Sequence, residues 1–173
     1  PPKEEGYIRL TSHNSQADTI NQREMEALAG KQFIFDAKIE GEFPEMSYPT
    51  DKVLVLKIGA QVMFVKNDRD KRYYNGMIGT IIGIDDNSIT VRPMDTDVEL
   101  KVVADVWQNC KYVLDEETKE ISEQVIGTFS QIPLRLAWAI TIHKSQGLTF
   151  ERAIINAKQA FAAGQTYVAL SRC

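Results

Sequence analysis

The sequence predicts an α/β domain interrupted by a small all-β insertion. Three observations predict it. A short apolar run, a polar loop and a helical pattern open the chain; the middle crowds short strands between Asp/Asn turns; and near the end an apolar stretch again runs into a polar loop. Charge divides at similar places. Residues 1–50 carry a net −4, residues 51–75 a net +3, residues 76–130 a net −7 and residues 131–173 a net +4.

Ile8 to Leu10 is the first strand candidate, and Thr11-Ser12-His13-Asn14 is its polar exit. A helix follows, with Ser15 and Asp18 as an N-terminal capping pair, Ala17, Ile20, Ala27 and Leu28 as a modest apolar stripe and Gly30 as its stop. Gly41, Pro44 and Pro49 make residues 40–51 a loop. Val53 to Leu56 and Gln61 to Val65 read as strands around a turn at 57–60. After Asn75-Gly76 come strands at Thr80–Ile84, Ser88–Arg92, Val98–Val103 and Lys111–Leu114, separated by Asp85-Asp86-Asn87 and Asp95-Thr96-Asp97, with a further turn at Asp115–Thr118. These form a small antiparallel barrel or meander. Past Gly127 the pattern reverts: Leu134 to Ile142 is almost wholly apolar, Ala153-Ile154-Ile155 is a buried-strand pattern, and Gly164 to Cys173 is a final helix.

With 173 residues and 19.6 kDa, 43% hydrophobic and 25% charged, the chain has the composition of one globular domain, or of one domain with an insert. Collagen, coiled coil and disordered tail are excluded. No apolar run approaches the roughly 20 residues that span a bilayer, and no secretory signal pattern opens the sequence. Cys110 and Cys173 make no disulfide framework and fit a reducing, cytoplasmic setting; two histidines and two cysteines without ligand spacing argue against zinc. A net charge of −4 argues against nucleic acid, but the two basic stretches flanking an acidic one describe a bipartite surface that would attract a polyanion locally.

Four constellations could carry chemistry. Thr141-Ile142-His143-Lys144-Ser145-Gln146-Gly147 gathers hydroxyls, imidazole, ammonium and amide at the end of an apolar segment, and Gly147 allows close backbone approach to a ligand. The same groups serve equally well as partners for loop amides. Gly164 to Arg172 places Arg172 one helical turn beyond Val168, either as a rigidly held guanidinium for a phosphoryl group or as a solvated surface arginine. Thr11, Ser12 and Asn14 at a strand-to-helix switch suit an anion, or simply cap the helix. Lys66, Arg69, Lys71, Arg72, Tyr73 and Tyr74 interleave charge with aromatics, as a single-strand groove does and as a solvated loop over two packed rings also does. No Gly-x-x-x-x-Gly-Lys-Ser/Thr occurs, so the chain carries no phosphate-cradling P-loop of its own.

Taken in order, these motifs resemble the C-terminal half of a superfamily-one DNA helicase, on the RecD-like and Pif-type 5′→3′ branch. Thr11 to Asn21 resembles motif four, Leu56 to Asp68 with Asn75-Gly76 resembles the LKxGAQVMxxKND…NG segment, Ala139 to Phe150 (AITIHKSQGLTF) resembles motif five, and Tyr167 to Arg172 (YVALSR) resembles motif six. The resemblance covers essentially the whole chain. Thr149 departs from it, standing where many of these helicases carry a ribose-contacting glutamate.

The resemblance implies that 1–75 and 131–173 form a second RecA-like domain lacking its own P-loop, and that 76–130 form an inserted barrel similar to a Src-homology-3 fold. It implies Arg172 as the arginine finger, and Gln146 and Gly147 with Arg172 as borders of the nucleotide. It implies Thr11, Ser12, Asn14, Thr141, His143, Lys144 and Ser145 as holders of single-stranded DNA phosphates, with little sequence preference. ATP and Mg²⁺ would be held mainly by an N-terminal RecA-like domain of the same protein, and the whole would act as a monomer. With no Walker motif before it and its last residue just after Arg172, the chain is expected to be a piece of a longer helicase, inactive alone. The rival expectation is a non-catalytic module that binds nucleic acid or protein through the small barrel.

Overall fold

The computed structural model describes residues 6–150 and 152–155. In chain order the elements are β1 (Ile8–Thr11), α1 (Asn14–Ala27), β2 (Phe33–Asp36), β3 (Lys38–Gly41), a 3₁₀ turn (Glu45–Ser47), β4 (Val53–Leu56), β5 (Gln61–Phe64), β6 (Ile78–Ile84), β7 (Ser88–Pro93), β8 (Leu100–Val103), β9 (Asp105–Leu114), β10 (Ile121–Gln131), β11 (Leu134–Leu136), β12 (Ala139–Thr141) and β13 (Ala153–Ile155).

The α/β part is a parallel three-stranded sheet in the order β12-β1-β13, with α1 packed beside β1 and β12. Its register pairs Leu10 with both Ile140 and Ile155, so β1 is the central strand although it comes first in the chain. Parallel neighbours require crossover connections. Here α1 and all the antiparallel strands lie between β1 and β12. The antiparallel part has a five-stranded sheet, β11-β5-β6-β7-β8, and a three-stranded one, β3-β10-β9; β2 and β4 pair separately.

The sheets reach past the expected insertion limits on both sides. β5 (61–64) and β11 (134–136) hydrogen-bond into the same sheet as β6–β8, and β3 (38–41) pairs with β10. The burial pattern gives the reason. Val62 and Phe64 pack into one apolar cluster with Leu54, Leu56, Ile81, Ile89 and Val91, while Met63 points the other way into a second cluster with Ile8, Leu10, Ile140, Ile142 and Phe150. A strand buried on both faces must carry an unbroken apolar run, and Val62-Met63-Phe64 is one.

Several local expectations change. The expected loop over 40–51 begins as strand β3 and contains the 3₁₀ turn. The apolar stretch 134–142 is two short strands, β11 and β12, in different sheets. The expected Ser15/Asp18 cap is absent: the helix starts at Asn14, His13 takes the capping position with no side-chain bond to the helix amides, and the Ser12 hydroxyl is bonded to His13 Nδ1 (2.8 Å) and Gln16 Oε1 (3.3 Å). The last expected strand is much longer than Lys111–Leu114 and forms with β10 a hairpin around Asp115–Glu120. On that ribbon Cys110 faces Val125, Tyr112 faces Glu123 and Leu114 faces Ile121, so one side is mostly apolar with Glu123 at its centre; Tyr112 is 78% exposed. The expected helix 164–173 lies outside the described residues.

Candidate nucleic-acid interface

β1 and β12 run in parallel with Thr11 opposite Thr141, and the Ile142 amide donates to the Thr11 carbonyl at 2.8 Å. Their exit loops, Ser12–Asn14 and Ile142–Gly147, therefore leave the same edge of the sheet side by side. That edge, outside the carboxyl ends of parallel strands, is where open α/β sheets bind ligands. Two motifs separated by about 130 positions become one surface through a single strand pairing.

The side chains divide by role. Thr11, Thr141 and Ser145 are buried. Thr11 Oγ1 donates to the His13 carbonyl (3.2 Å), Thr141 Oγ1 accepts from the Lys144 amide (3.2 Å), and Ser145 Oγ donates to the Ile142 carbonyl (2.7 Å). These hydroxyls serve the loops' own backbone, as short polar side chains do in tight turns. Ser12 is half-buried; His13, Asn14, His143, Lys144 and Gln146 are exposed on the same edge. Gly147 holds φ +79° and an added Cβ there would meet nothing within 4 Å, so its backbone is open to an approaching ligand. The first turn of α1 has no acidic residue; the Gln16 and Ala17 amides turn back to the His13 carbonyl (3.2 and 3.3 Å), and the positive helix end faces this edge with no carboxylate in its first turn.

α1 is held to β12 by Asn21, whose amide donates to the Ala139 carbonyl (3.0 Å) while its oxygen accepts the Ala139 amide (2.8 Å). The side chain thus satisfies the outer edge of β12 as a neighbouring strand would. Beside it lies a groove of about 270 Å³ lined by Asn14, Asp18, Gln22, Asp51, Arg135, Thr141 and Lys144. Arg135 donates from Nη2 to the Pro49 carbonyl (2.9 Å), and its buried Nε has no partner. Burial pulls its basicity below the usual arginine value, and the charges of Asp51 and Asp18 oppose that pull.

Half of the basic residues in segment 51–75 are spent on structure. Lys57 is buried, and its ammonium donates to the Met25 and Leu28 carbonyls at 2.9 Å each, closing the C-terminal end of α1. Lys66 pairs with Asp105 (3.0 Å) and lies over the Trp107 ring. Arg72 pairs with Asp68 (2.7 Å), whose carboxyl this hydrogen bond holds below its ordinary value. Tyr73 stacks on Phe64 inside the core, while Arg69, Lys71 and Tyr74 are exposed. Gly76, at φ +99°, packs against Leu148 of the strand-end loop, which joins this segment to the candidate edge. Arg172 and the rest of Tyr167–Arg172 lie outside the described residues.

Asn21, Arg135 and Gln61 were not singled out from the sequence. Gln61 is buried and bridges the Tyr7 and Ala137 carbonyls at 2.8 Å each, tying β5 to the approaches of β1 and β12. The available signal was a polar residue inside an apolar run: Gln61 before Val62, and Arg135 between Leu134 and Leu136.

No family model matches the chain. Among curated proteins it is 36% identical over 171 residues to the ATP-dependent DNA helicase PIF1 of Mus musculus, which covers 95% of this chain and 25% of the mouse protein. It is 34% identical over 169 residues to the ATP-dependent DNA helicase Pif1 of Bdellovibrio bacteriovorus, covering 95% of this chain and 36% of that one. Among solved structures, unliganded Pif1 from Bacteroides sp. superposes with a TM-score of 0.90 at 43% identity over 98% of this chain and 38% of the other, and Bacteroides Pif1 bound to single-stranded DNA with a TM-score of 0.78 at 42% identity over 99% and 39%. In sequence and fold the chain is similar, over nearly its whole length, to a segment of DNA helicases. Its homologues are Pif1 DNA helicases. It spans about a quarter to two fifths of the length of the curated relatives it matches.

Proposed function

We propose that this chain is part of an ATP-dependent 5′→3′ DNA helicase, in which it supplies half of a single-stranded DNA track and, through Arg172, the arginine finger. The observation that carries the proposal is the side-by-side placement of the Ser12–Asn14 and Ile142–Gly147 loops at the carboxyl ends of β1 and β12, in a chain whose homologues are Pif1 helicases. His13, Asn14, His143 and Lys144 offer exposed donors to phosphate oxygens, while Thr11, Thr141 and Ser145 hold the loops that present them. Such contacts grip the sugar–phosphate chain rather than base identity.

Gln146 and Gly147 fit the border of a nucleotide: both are exposed, and Gly147 leaves open space. When bound, ATP supplies the phosphoryl group that is transferred to water, with Mg²⁺ on its phosphates. Arg172 stands at the motif-six position, from which a guanidinium offsets charge developing on the transferred group. With no P-loop pattern in the sequence, the chain contributes only part of the nucleotide pocket and hydrolyses no ATP by itself. The remainder comes from a preceding RecA-like domain of the same monomer.

In the full-length protein, ATPase measured with and without single-stranded DNA should show strong stimulation. Arg172→Ala should lower the stimulated kcat by about 10³-fold or more, the scale on which arginine fingers act. No stimulation by DNA together with a loss below tenfold would favour a non-catalytic binding module instead.

A further inference from the structure

We propose that the groove between α1 and residues 135–144 is a base-binding subsite, taking the edge of an amino-bearing nucleobase from the strand whose phosphates pass Lys144. The proposal rests on the single-stranded DNA reading above. The groove opens beside Thr141 and Lys144, so it is continuous with the phosphate-facing edge. Its volume of about 270 Å³ holds a flat ring and some water but falls below the roughly 300–1,000 Å³ of ordinary small-molecule pockets.

Its chemistry selects a neutral ligand. Asp18 and Asp51 oppose Arg135 and Lys144, so the formal charges cancel and a phosphate gains no net attraction there. The carboxylates of Asp18 and Asp51 accept no hydrogen bond and make no ion pair among the described residues. Arg135 lies within electrostatic reach of both, but it spends its Nη2 bond on Pro49. Asn14 is likewise uncommitted, whereas Asn21 is occupied by Ala139 and Gln22 by Glu26. Two carboxylates with one amide suit the exocyclic amino group of cytosine, adenine or guanine. Thymine presents two carbonyls and one ring N–H, and suits them poorly.

The test is equilibrium binding of dC and dT homopolymers of equal length at pH 8 by the full-length protein. dC should bind about fivefold tighter, within the range of discrimination that a good base-edge contact gives. Asp18→Asn combined with Asp51→Asn should bring the two within about twofold, because an amide can also donate to thymine carbonyls. Lys144→Ala should weaken both by a similar factor and leave the ratio intact. Equal binding of dC and dT by the unaltered protein, or a preference that survives the double substitution, overturns the subsite alone. Failure to bind either homopolymer overturns both the subsite and the DNA track.

Discussion

At the scale of single residues, the positive groups fall into two populations that the sequence does not distinguish. Lys57 and Lys144 are both lysines in helicase-like motifs, yet one is buried under a helix end and the other is exposed. The Lys57 ammonium donates to the Leu28 carbonyl and adds a second donor to the Met25 carbonyl, which the Leu28 amide already reaches, and it opposes the negative end of the α1 dipole. Lys57→Met keeps the apolar stem but takes the side-chain donor from the Leu28 carbonyl and leaves the Met25 carbonyl with the Leu28 amide alone. It should lower stability by about 1–3 kcal/mol, read as a drop in the urea midpoint at unchanged m-value. Binding of single-stranded DNA by the protein that remains folded should be unaltered, because the ammonium does not face the strand-end loops. The same division separates the hydroxyls. Ser145 is fully buried with its proton committed to Ile142, while the side chains on either side of it, Lys144 and Gln146, are exposed.

At the scale of elements, the legible parts were those whose period or punctuation is local. β1, β4, β5 and the meander β6–β8 follow from short apolar runs between turns, and the polar exits of β1 and β12 follow from composition alone. Pairing was not legible. That the Thr11 and Thr141 loops lie together depends on a parallel register between strands whose ends are 130 residues apart, and no local pattern encodes such a partner. The two strands at 33–41 were missed because their burial alternates only between half-buried and exposed, leaving little apolar contrast. The capping error has a similar origin: three adjacent polar residues could each cap α1, and the bonding of Ser12 to His13 and Gln16 decided among them.

The turn at Gly76 shows how elements couple. It sits at φ +99°, and an added Cβ would lie 3.4 Å from Leu148. Gly76→Val should therefore destabilise by more than the roughly 0.4–1 kcal/mol by which backbone-compatible glycine replacements stabilise, since it combines a disfavoured conformation with contact against the strand-end loop. Thermal unfolding checks the stability. A matching rise in the dissociation constant for single-stranded DNA, measured well below the transition, checks that Leu148 carries the disturbance into the 142–147 loop.

At the scale of the whole molecule, β5 is the common wall. Val62 and Phe64 serve one apolar cluster and Met63 the other, while Gln61 stitches the strand to Tyr7 and Ala137. The α/β and antiparallel parts are thus joined through side chains as well as through the chain. Met63→Ala should cost about 2–5 kcal/mol, as for other large-to-small changes in a core. Because the wall is shared, the loss should appear equally at both tryptophans. Variants keeping only Trp107, on the long hairpin, or only Trp138, beside β12, should report the same shifted fluorescence midpoint. Two separate midpoints would mean that the parts unfold independently.

The long hairpin has a consequence of its own. Its mostly apolar side, running from Cys110 and Val125 to Leu114 and Ile121 with Glu123 between them, ends at a rim bearing Asp115, Glu116, Glu117 and Glu120. Like charges at the rim hold neighbouring copies apart at low ionic strength, and dissolved ions shorten the reach of that repulsion without weakening hydrocarbon contact. Rising salt should therefore bring the ribbons of separate molecules into contact, and light scattering that grows with ionic strength would show it.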